Sequence, residues 1–359
     1  MCHHSRMARI LAVAPVLPPH VATQAQITAE LAEGMTDDPA ARAVMQRIHA
    51  ASGIETRHLA LPLAEYRGIE GFTATNALFA DLALPLAERA VTAALAEAGL
   101  RVDEVDHLFF TTVTGLGAPS LDARLATSMG FRADLRRVPS FGLGCVAGAA
   151  GLARVADYLA GHPQGVALLV AVELCSLTLQ WDDPSMANVV GTGIFGDGAA
   201  AVVMVGDAHP ALAAAEPRAR VVGSRSALYP ESAEMIGWRI GESGFRLMLA
   251  AGVPALIDGH FAGAVDELLA EVGWSRAEVD DWIAHPGGPR VLESFSAALD
   301  LAPAALASSW AVLARAGNMS SAAVLHVLAE GGPRPAGTRA VLFALGPGVT
   351  AEIVALEWS

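Results

Sequence analysis

The sequence predicts an α/β fold assembled from two similar halves, and three observations carry that prediction. Apolar strand-like runs alternate with alanine-rich helical stretches along the chain. The stretch Gly99–Phe110 has a partner in Gly273–Ala284. The landmarks that follow each copy then recur at nearly the same offset, which is the signature of a duplicated unit.

Composition bounds what such a body can do. Of 359 residues, 53% are apolar and 17% charged, enough to bury a sizeable core. The formal charge of −14 argues against nucleic acid as the main partner. Every basic residue in the Lys+Arg total is arginine. With no lysine, Schiff-base chemistry, a pyridoxal phosphate anchor and a P-loop lysine are all excluded. The three cysteines, Cys2, Cys145 and Cys175, form neither a disulfide framework nor a zinc motif, and fit a reduced, cytoplasmic setting.

In chain order, Met1 to Arg6 match no element, and Met7 is a candidate start. Ile10 to Leu17 reads as an opening strand, although a signal peptide would also draw on this apolar run. The first copy of the repeat, Gly99-Leu-Arg-Val-Asp-Glu-Val-Asp-His-Leu-Phe-Phe110, reads as a helix end, a turn carrying Glu-Val-Asp and a buried strand. The second, Gly273-Trp-Ser-Arg-Ala-Glu-Val-Asp-Asp-Trp-Ile-Ala284, reads the same way. Gly144-Cys145 then precedes a small-residue helix from Val146 to Leu159, as Gly317-Asn318 precedes Met319 to Ala329. The strand pair Val166 to Val172 and Gly198 to Val205 corresponds to Ala340 to Leu345 and Thr350 to Leu356. These runs end at charges or at Pro and Gly well short of a membrane span. The halves are expected at 1–210 and 211–359, with Cys145 and Asn318 at equivalent points. This arrangement resembles the thiolase fold, αβαβα halves around a shared central helix pair.

Cys145 lies in Phe141-Gly-Leu-Gly-Cys-Val-Ala-Gly148, where glycines lead into a helix whose N-terminus favours a thiolate. An inert buried cysteine is the bland alternative. His285 ends a strand in Ala284-His-Pro-Gly-Gly-Pro289, a rigid loop open to ligand; His260 and His326 read as structural. A Cys145–His285 couple would lower the thiol pKa by several units. Asn318 reads either as an N-cap or as a second donor beside His285, completing an oxyanion hole.

The set Gly144-Cys-Val-Ala-Gly148, Ile194-Phe-Gly-Asp-Gly-Ala-Ala200, His285-Pro-Gly-Gly-Pro289, Gly317-Asn-Met-Ser-Ser-Ala322 and Gly346-Pro-Gly348 resembles the type III polyketide synthases, the chalcone-synthase-like family, from about Ile10 to Trp358. The resemblance implies that Cys145 carries the acyl chain while His285 and Asn318 stabilise the enolate of decarboxylated malonyl-CoA. It implies that Phe195 is a gatekeeping aromatic, with Leu247 at a second gate that is usually aromatic. Thr114, Ala118 and Cys175 match positions lining an acyl tunnel in relatives that take long fatty acyl-CoA starters. Ser320 and Gly287 match positions near the pantetheine arm. Arg57, with Arg47 and Arg42 on the preceding helix, would supply a positive mouth for CoA phosphates. The expected products are alkylpyrones or alkylresorcinols, with no metal, flavin or nicotinamide needed. A homodimer is implied, and the helix after Cys145 together with Pro119 was the surface expected to suit it. A ketoacyl-ACP synthase-like enzyme, a simple acyltransferase and a silent partner subunit are the competing readings.

Overall fold

The computed structural model describes residues 8–213 and 218–359, so Cys2 and the candidate start Met7 lie outside the described residues. The strands are β1 (Arg9–Val16), β2 (His20–Thr23), β3 (Thr56–Leu59), β4 (His107–Thr111), β5 (Arg136–Ser140), β6 (Val166–Leu174) and β7 (Asp197–Val205). After these come β8 (Ala219–Leu228), β9 (Ile236–Gly241), β10 (Gly244–Leu249), β11 (Asp281–Ala284), β12 (Arg339–Gly346) and β13 (Thr350–Trp358). The run after Met7 is therefore a strand inside the sheet, because its residues find hydrogen-bonding partners on β7.

Nine strands form one sheet in the order β11-β12-β13-β8-β1-β7-β6-β4-β5. The duplication is visible in that order. β4, β6, β7 and β1 on one side match β11, β12, β13 and β8 on the other, and β5 has no counterpart. The halves meet where β1 pairs with β8 through Arg9 and Arg220.

The repeated Glu-Val-Asp has a structural cause. In each half a helix stops at a glycine in the left-handed region, Gly99 at φ 67° and Gly273 at φ 75°. Glu104 then accepts the Arg101 N–H, and Glu278 the Ser275 N–H, each at 2.8 Å. The aspartates pin the next strand: Asp106 accepts the N–H of Val166 and Asp280 that of Arg339, each at 2.9 Å. The same three residues thus close the same turn twice.

Side chains alternate across the strands, so each half-sheet is covered on both faces. Leu168 and Val170 of β6 face the long helix Gly71–Ala98, whereas Ala167 and Leu169 face a central helix pair. That pair is Ala147–Gly161 and Ala323–Glu330, preceded by short 3₁₀ turns at Gly144–Val146 and Ser320–Ala322. On the far side, Val341 and Phe343 of β12 pack on Phe261, Val265 and Phe295 from the outer helices. The layers therefore read helix, sheet, helix pair, sheet, helix.

The central pair touches because Gly148 has no side chain: a Cβ there would lie 2.7 Å from Val324 Cγ1 and nearer still to the Ser321 carbonyl oxygen. The small residues after Cys145 thus serve contact inside the chain. This corrects the expectation that they form a subunit interface, since Ala147 to Ala153 are buried. Among the described residues no helix is long and apolar enough to cross a membrane.

Candidate active site

Both central 3₁₀ turns open onto one place. Gly144 has φ 55°, and a Cβ there would meet Pro347 Cδ and Cγ at 2.7 Å. Only glycine fits both constraints, so the Gly346-Pro-Gly348 turn clamps the backbone that presents Cys145. Half-buried Cys145 points its sulfur at Ser320 Oγ, 3.7 Å away. Ser320 is itself strained, with φ 46° in a residue that carries a side chain.

Asn318 ties the site together. Its Oδ1 accepts the Ser320 N–H at 2.9 Å, and its Nδ2 donates to the Gly287 carbonyl at 3.2 Å. Its backbone N–H donates to Ile194 at 2.7 Å, and its carbonyl accepts from Gly196 at 3.0 Å, flanking Phe195. Asn318 is thus a cap for the turn at Ser320 and also a link to the His285 loop and to Phe195. His285 is held by its backbone N–H to Phe343 O at 2.8 Å. The side chain is 1% exposed, and neither ring nitrogen has a partner among the described residues. Both ring nitrogens are thus available to hydrogen-bond a bound molecule.

The expected thiolate–imidazolium couple is not what this environment favours. Burial pushes the Cys145 thiol up to about 11; nearby Glu173 adds to the rise, and the Ser320 and Asn318 hydrogen bonds oppose it. Burial pushes His285 down to about 3. Each group is therefore held in its neutral form, because burial outweighs whatever would favour its charge.

Three further expectations are corrected. Arg57 does not sit at a surface mouth: it is 3% exposed, and its Nη1 donates to Thr192 O at 2.7 Å and Phe195 O at 2.8 Å. Thr114 is not on the wall of the cavity that holds Cys175, and its hydroxyl is engaged inside the fold, donating to Glu173 at 2.8 Å and accepting the Leu174 N–H at 3.0 Å. Ala118 is on an exposed loop, before a cis bond to Pro119. Of the other arginines, Arg42 donates to Thr36 O at 2.8 Å, while Arg47 is exposed on the helix Pro39–Ala50.

Cys175, Phe195, Leu247 and Arg57 instead share the wall of a narrow cavity of about 40 Å³, with Tyr66, Ser176, Thr192 and Trp238 among its other neighbours. Phe195 packs on Trp238 with ring centroids 5.8 Å apart. His326 is structural as read, its Nε2 2.9 Å from Ala199 O, and exposed His260 stacks on Tyr229.

Two buried acids went unread as functional residues. Glu173, fully buried, accepts from Thr112, Thr114, the Val113 N–H and Ser321; burial raises its pKa, and those hydrogen bonds oppose the rise. Asp197 accepts the Ser176 N–H at 2.8 Å and the Ala60 N–H at 2.7 Å, and burial lifts it to about 6. The signal was available: each is an acid in or opening an otherwise apolar strand.

A half-buried sulfur at a turn between two duplicated βα halves, facing Ser320 and Asn318, with the His285 loop tied to Asn318, fits a thiolase-fold acyl transferase. Models of the chalcone and stilbene synthases match residues 2–208 (N-terminal domain) and 220–358 (C-terminal domain). The chain belongs to that family and is a type III polyketide synthase, a transferase working on CoA thioesters. It is 48% identical to a 1,3,6,8-tetrahydroxynaphthalene synthase of Streptomyces peucetius, over 98% of this chain and 94% of that one. It is 33% identical to the alpha-pyrone synthesis polyketide synthase-like Pks18 of Mycobacterium tuberculosis, over 96% and 90%. The crystal structure of the tetrahydroxynaphthalene synthase of Streptomyces coelicolor superposes with a TM-score of 0.91 at 32% identity, covering 98% of this chain and 99% of that one.

Proposed function

We propose that this enzyme builds an aromatic polyketide from malonyl-CoA alone, with 1,3,6,8-tetrahydroxynaphthalene as the product type. The observation that carries the reading is the 48% identity to a synthase of that name over 98% of the chain. The ten ring carbons correspond to five two-carbon units. Five malonyl groups release five CO2, five CoA and one water to give that product.

The roles follow from the site. The starter thioester enters beside the neutral Cys145–His285 pair; His285 takes the thiol proton as sulfur attacks, and CoA leaves with a proton. The next malonyl-CoA loses CO2, and its enolate oxygen is held by N–H groups of His285 and Asn318. Each such donor is worth roughly 3–4 kcal/mol of transition-state stabilisation. The enolate carbon then attacks the Cys145 thioester and frees the sulfur. Decarboxylation supplies the carbanion, so the scheme needs no metal, flavin or nicotinamide. Phe195 and Leu247 border the cavity that receives the growing chain, Ser320 and Gly287 flank the thioester arm, and Arg47 is the candidate for the CoA phosphates.

The fatty acyl-CoA reading, giving an alkylpyrone or alkylresorcinol, is the second one. It is favoured by the apolar wall Ile27, Leu31, Leu59 and Leu63 beside Cys175. The cavity of about 40 Å³ has room for only a few waters, less than either product occupies, so its volume does not choose between the two readings. A cytoplasmic homodimer is part of the proposal: edge strand β5 is solvent-exposed along most of its length, with Val138 42% exposed and Phe141, just beyond the strand, 44%.

Incubation with malonyl-CoA alone, and with a ladder of acyl-CoAs from C2 to C18, tests both readings by mass spectrometry, with Cys145→Ala as control. A ten-carbon aromatic from malonyl-CoA alone, absent in the control, supports the first. Products that require a long acyl-CoA support the second. Free acids or single-extension products throughout would defeat both.

A further inference from the structure

We propose that Arg57 is a positioning residue that sets Asn318 and Phe195 together at the site. The proposal rests on the reading of Asn318 as an enolate donor given above.

The geometry that carries it is a threaded side chain. From β3, Arg57 passes beside the turn that presents Asn318: a Cβ on Gly317 would lie 3.2 Å from Arg57 Cγ and 3.3 Å from its Cδ. One on Gly196 would lie 3.7 Å from the same Cγ. The guanidinium ends at the C-terminus of the helix Met186–Ile194. There Nη1 donates to the carbonyls of Thr192 at 2.7 Å and Phe195 at 2.8 Å. A cation is favoured at that end of a helix, where carbonyls lack intrahelical partners.

Those carbonyls belong to the segment that pairs with Asn318. Phe195 and Asn318 form a parallel bridge, closed by Asn318 N–H to Ile194 O at 2.7 Å and Gly196 N–H to Asn318 O at 3.0 Å. Arg57 is therefore two hydrogen bonds from the Asn318 amide. It reaches the gate residue Phe195 and the donor Asn318 through one backbone segment.

The surroundings account for a charge held so deep. Asp197, the buried anion two residues beyond Phe195, favours the cation, while burial pulls Arg57 down to about 10. Nε and Nη2 have no hydrogen-bond partner among the described residues, so the hydrogen bonding of this guanidinium is concentrated on the Phe195 segment. A surface contact to CoA phosphate is ruled out by its depth.

The test is a double-mutant cycle read by malonyl-CoA decarboxylation and by condensation. Arg57→Met is expected to lower kcat by about 10²-fold, the effect of misplacing a group by about 1 Å, with KM for malonyl-CoA within roughly twofold. Arg57→Lys, which keeps a cation able to donate to both carbonyls, should recover most of the loss, and Arg57→Gln less. In an Asn318→Ala background, Arg57→Met should lower decarboxylation by no more than about threefold further, because its effect runs through Asn318. Equal losses in both backgrounds would overturn the positioning role and leave the donor reading of Asn318 intact. Undiminished decarboxylation in Asn318→Ala alone would overturn both. If Arg57→Met does not fold, the cycle is run with Arg57→Gln and Arg57→Lys; a lysine variant no better than glutamine then refutes the proposal.

Discussion

Gly148→Ala should damage catalysis more than stability, and the reason is the contact that places both catalytic turns. Gly148 lies one turn beyond Cys145 on the helix Ala147–Gly161 and faces Ser321 and Val324 of the other half. The added Cβ would sit 2.7 Å from Val324 Cγ1, whereas ordinary contact begins at 3.4 Å. The two helices must then part by more than the roughly 0.7 Å that the Val324 contact alone would need, since the Ser321 carbonyl lies nearer still and cannot rotate away as a side chain can. Overpacking of this kind costs about 1–3 kcal/mol, or ~1–4 °C in Tm for a protein of this size. The same displacement acts on Ser320 and Asn318 just upstream, and ångström-scale misplacement lowers turnover by up to ~10²-fold. Thermal melts run beside malonyl-CoA condensation would measure both. Gly151→Ala is the matched control: its Cβ meets the flexible Leu169 side chain, at 2.5 Å, on the sheet side of the same helix. It should lose comparable stability and keep most of its turnover. If Gly151→Ala loses as much activity as Gly148→Ala, the helix contact does not position the site.

Three shorter predictions follow from the same geometry. Alkylation of Cys145 by iodoacetamide should accelerate with pH through the alkaline range toward about 11, because burial raises the thiol and the thiolate grows only as pH rises; a plateau already reached at pH 6 would restore the ion pair. Cys175→Phe, filling the cavity of about 40 Å³, should shorten the products seen by mass spectrometry while leaving malonyl-CoA decarboxylation within about threefold of wild type; an unchanged product profile would remove this cavity from the chain's path. Val138→Lys places a charge on the exposed edge of β5 and should shift the proposed homodimer toward monomer by light scattering; a dimer left unaltered would move the interface elsewhere, and a wild-type monomer would remove the dimer from the proposal.

The duplication was legible because symmetric folding demands the same local chemistry twice: Glu104 and Glu278 close equivalent turns, and Asp106 and Asp280 pin equivalent strands. Cys145, His285 and Asn318 were legible for a related reason. Each lies beside glycines or prolines whose backbone constraints show in sequence. What a one-dimensional pattern did not give was depth. Thr114 and Ala118 are four residues apart, yet one is buried against Glu173 and the other is exposed on a loop, since the strand ends at Thr111 and the chain then turns. Arg57 shows the same failure with a signal attached. In Thr56-Arg-His-Leu59 the alternation of β3 puts Arg57 on the face of buried Leu59, with Thr56 and His58 on the other. Residue type points to a surface cation, as read above, whereas the period-of-two alternation of the strand, which that reading did not use, points inward. The structure sides with the period, because an arginine can be buried when carbonyls at a helix end and a buried aspartate receive it. A strand-borne charge whose alternate neighbours are core residues is therefore better read as part of an internal network than as a docking site.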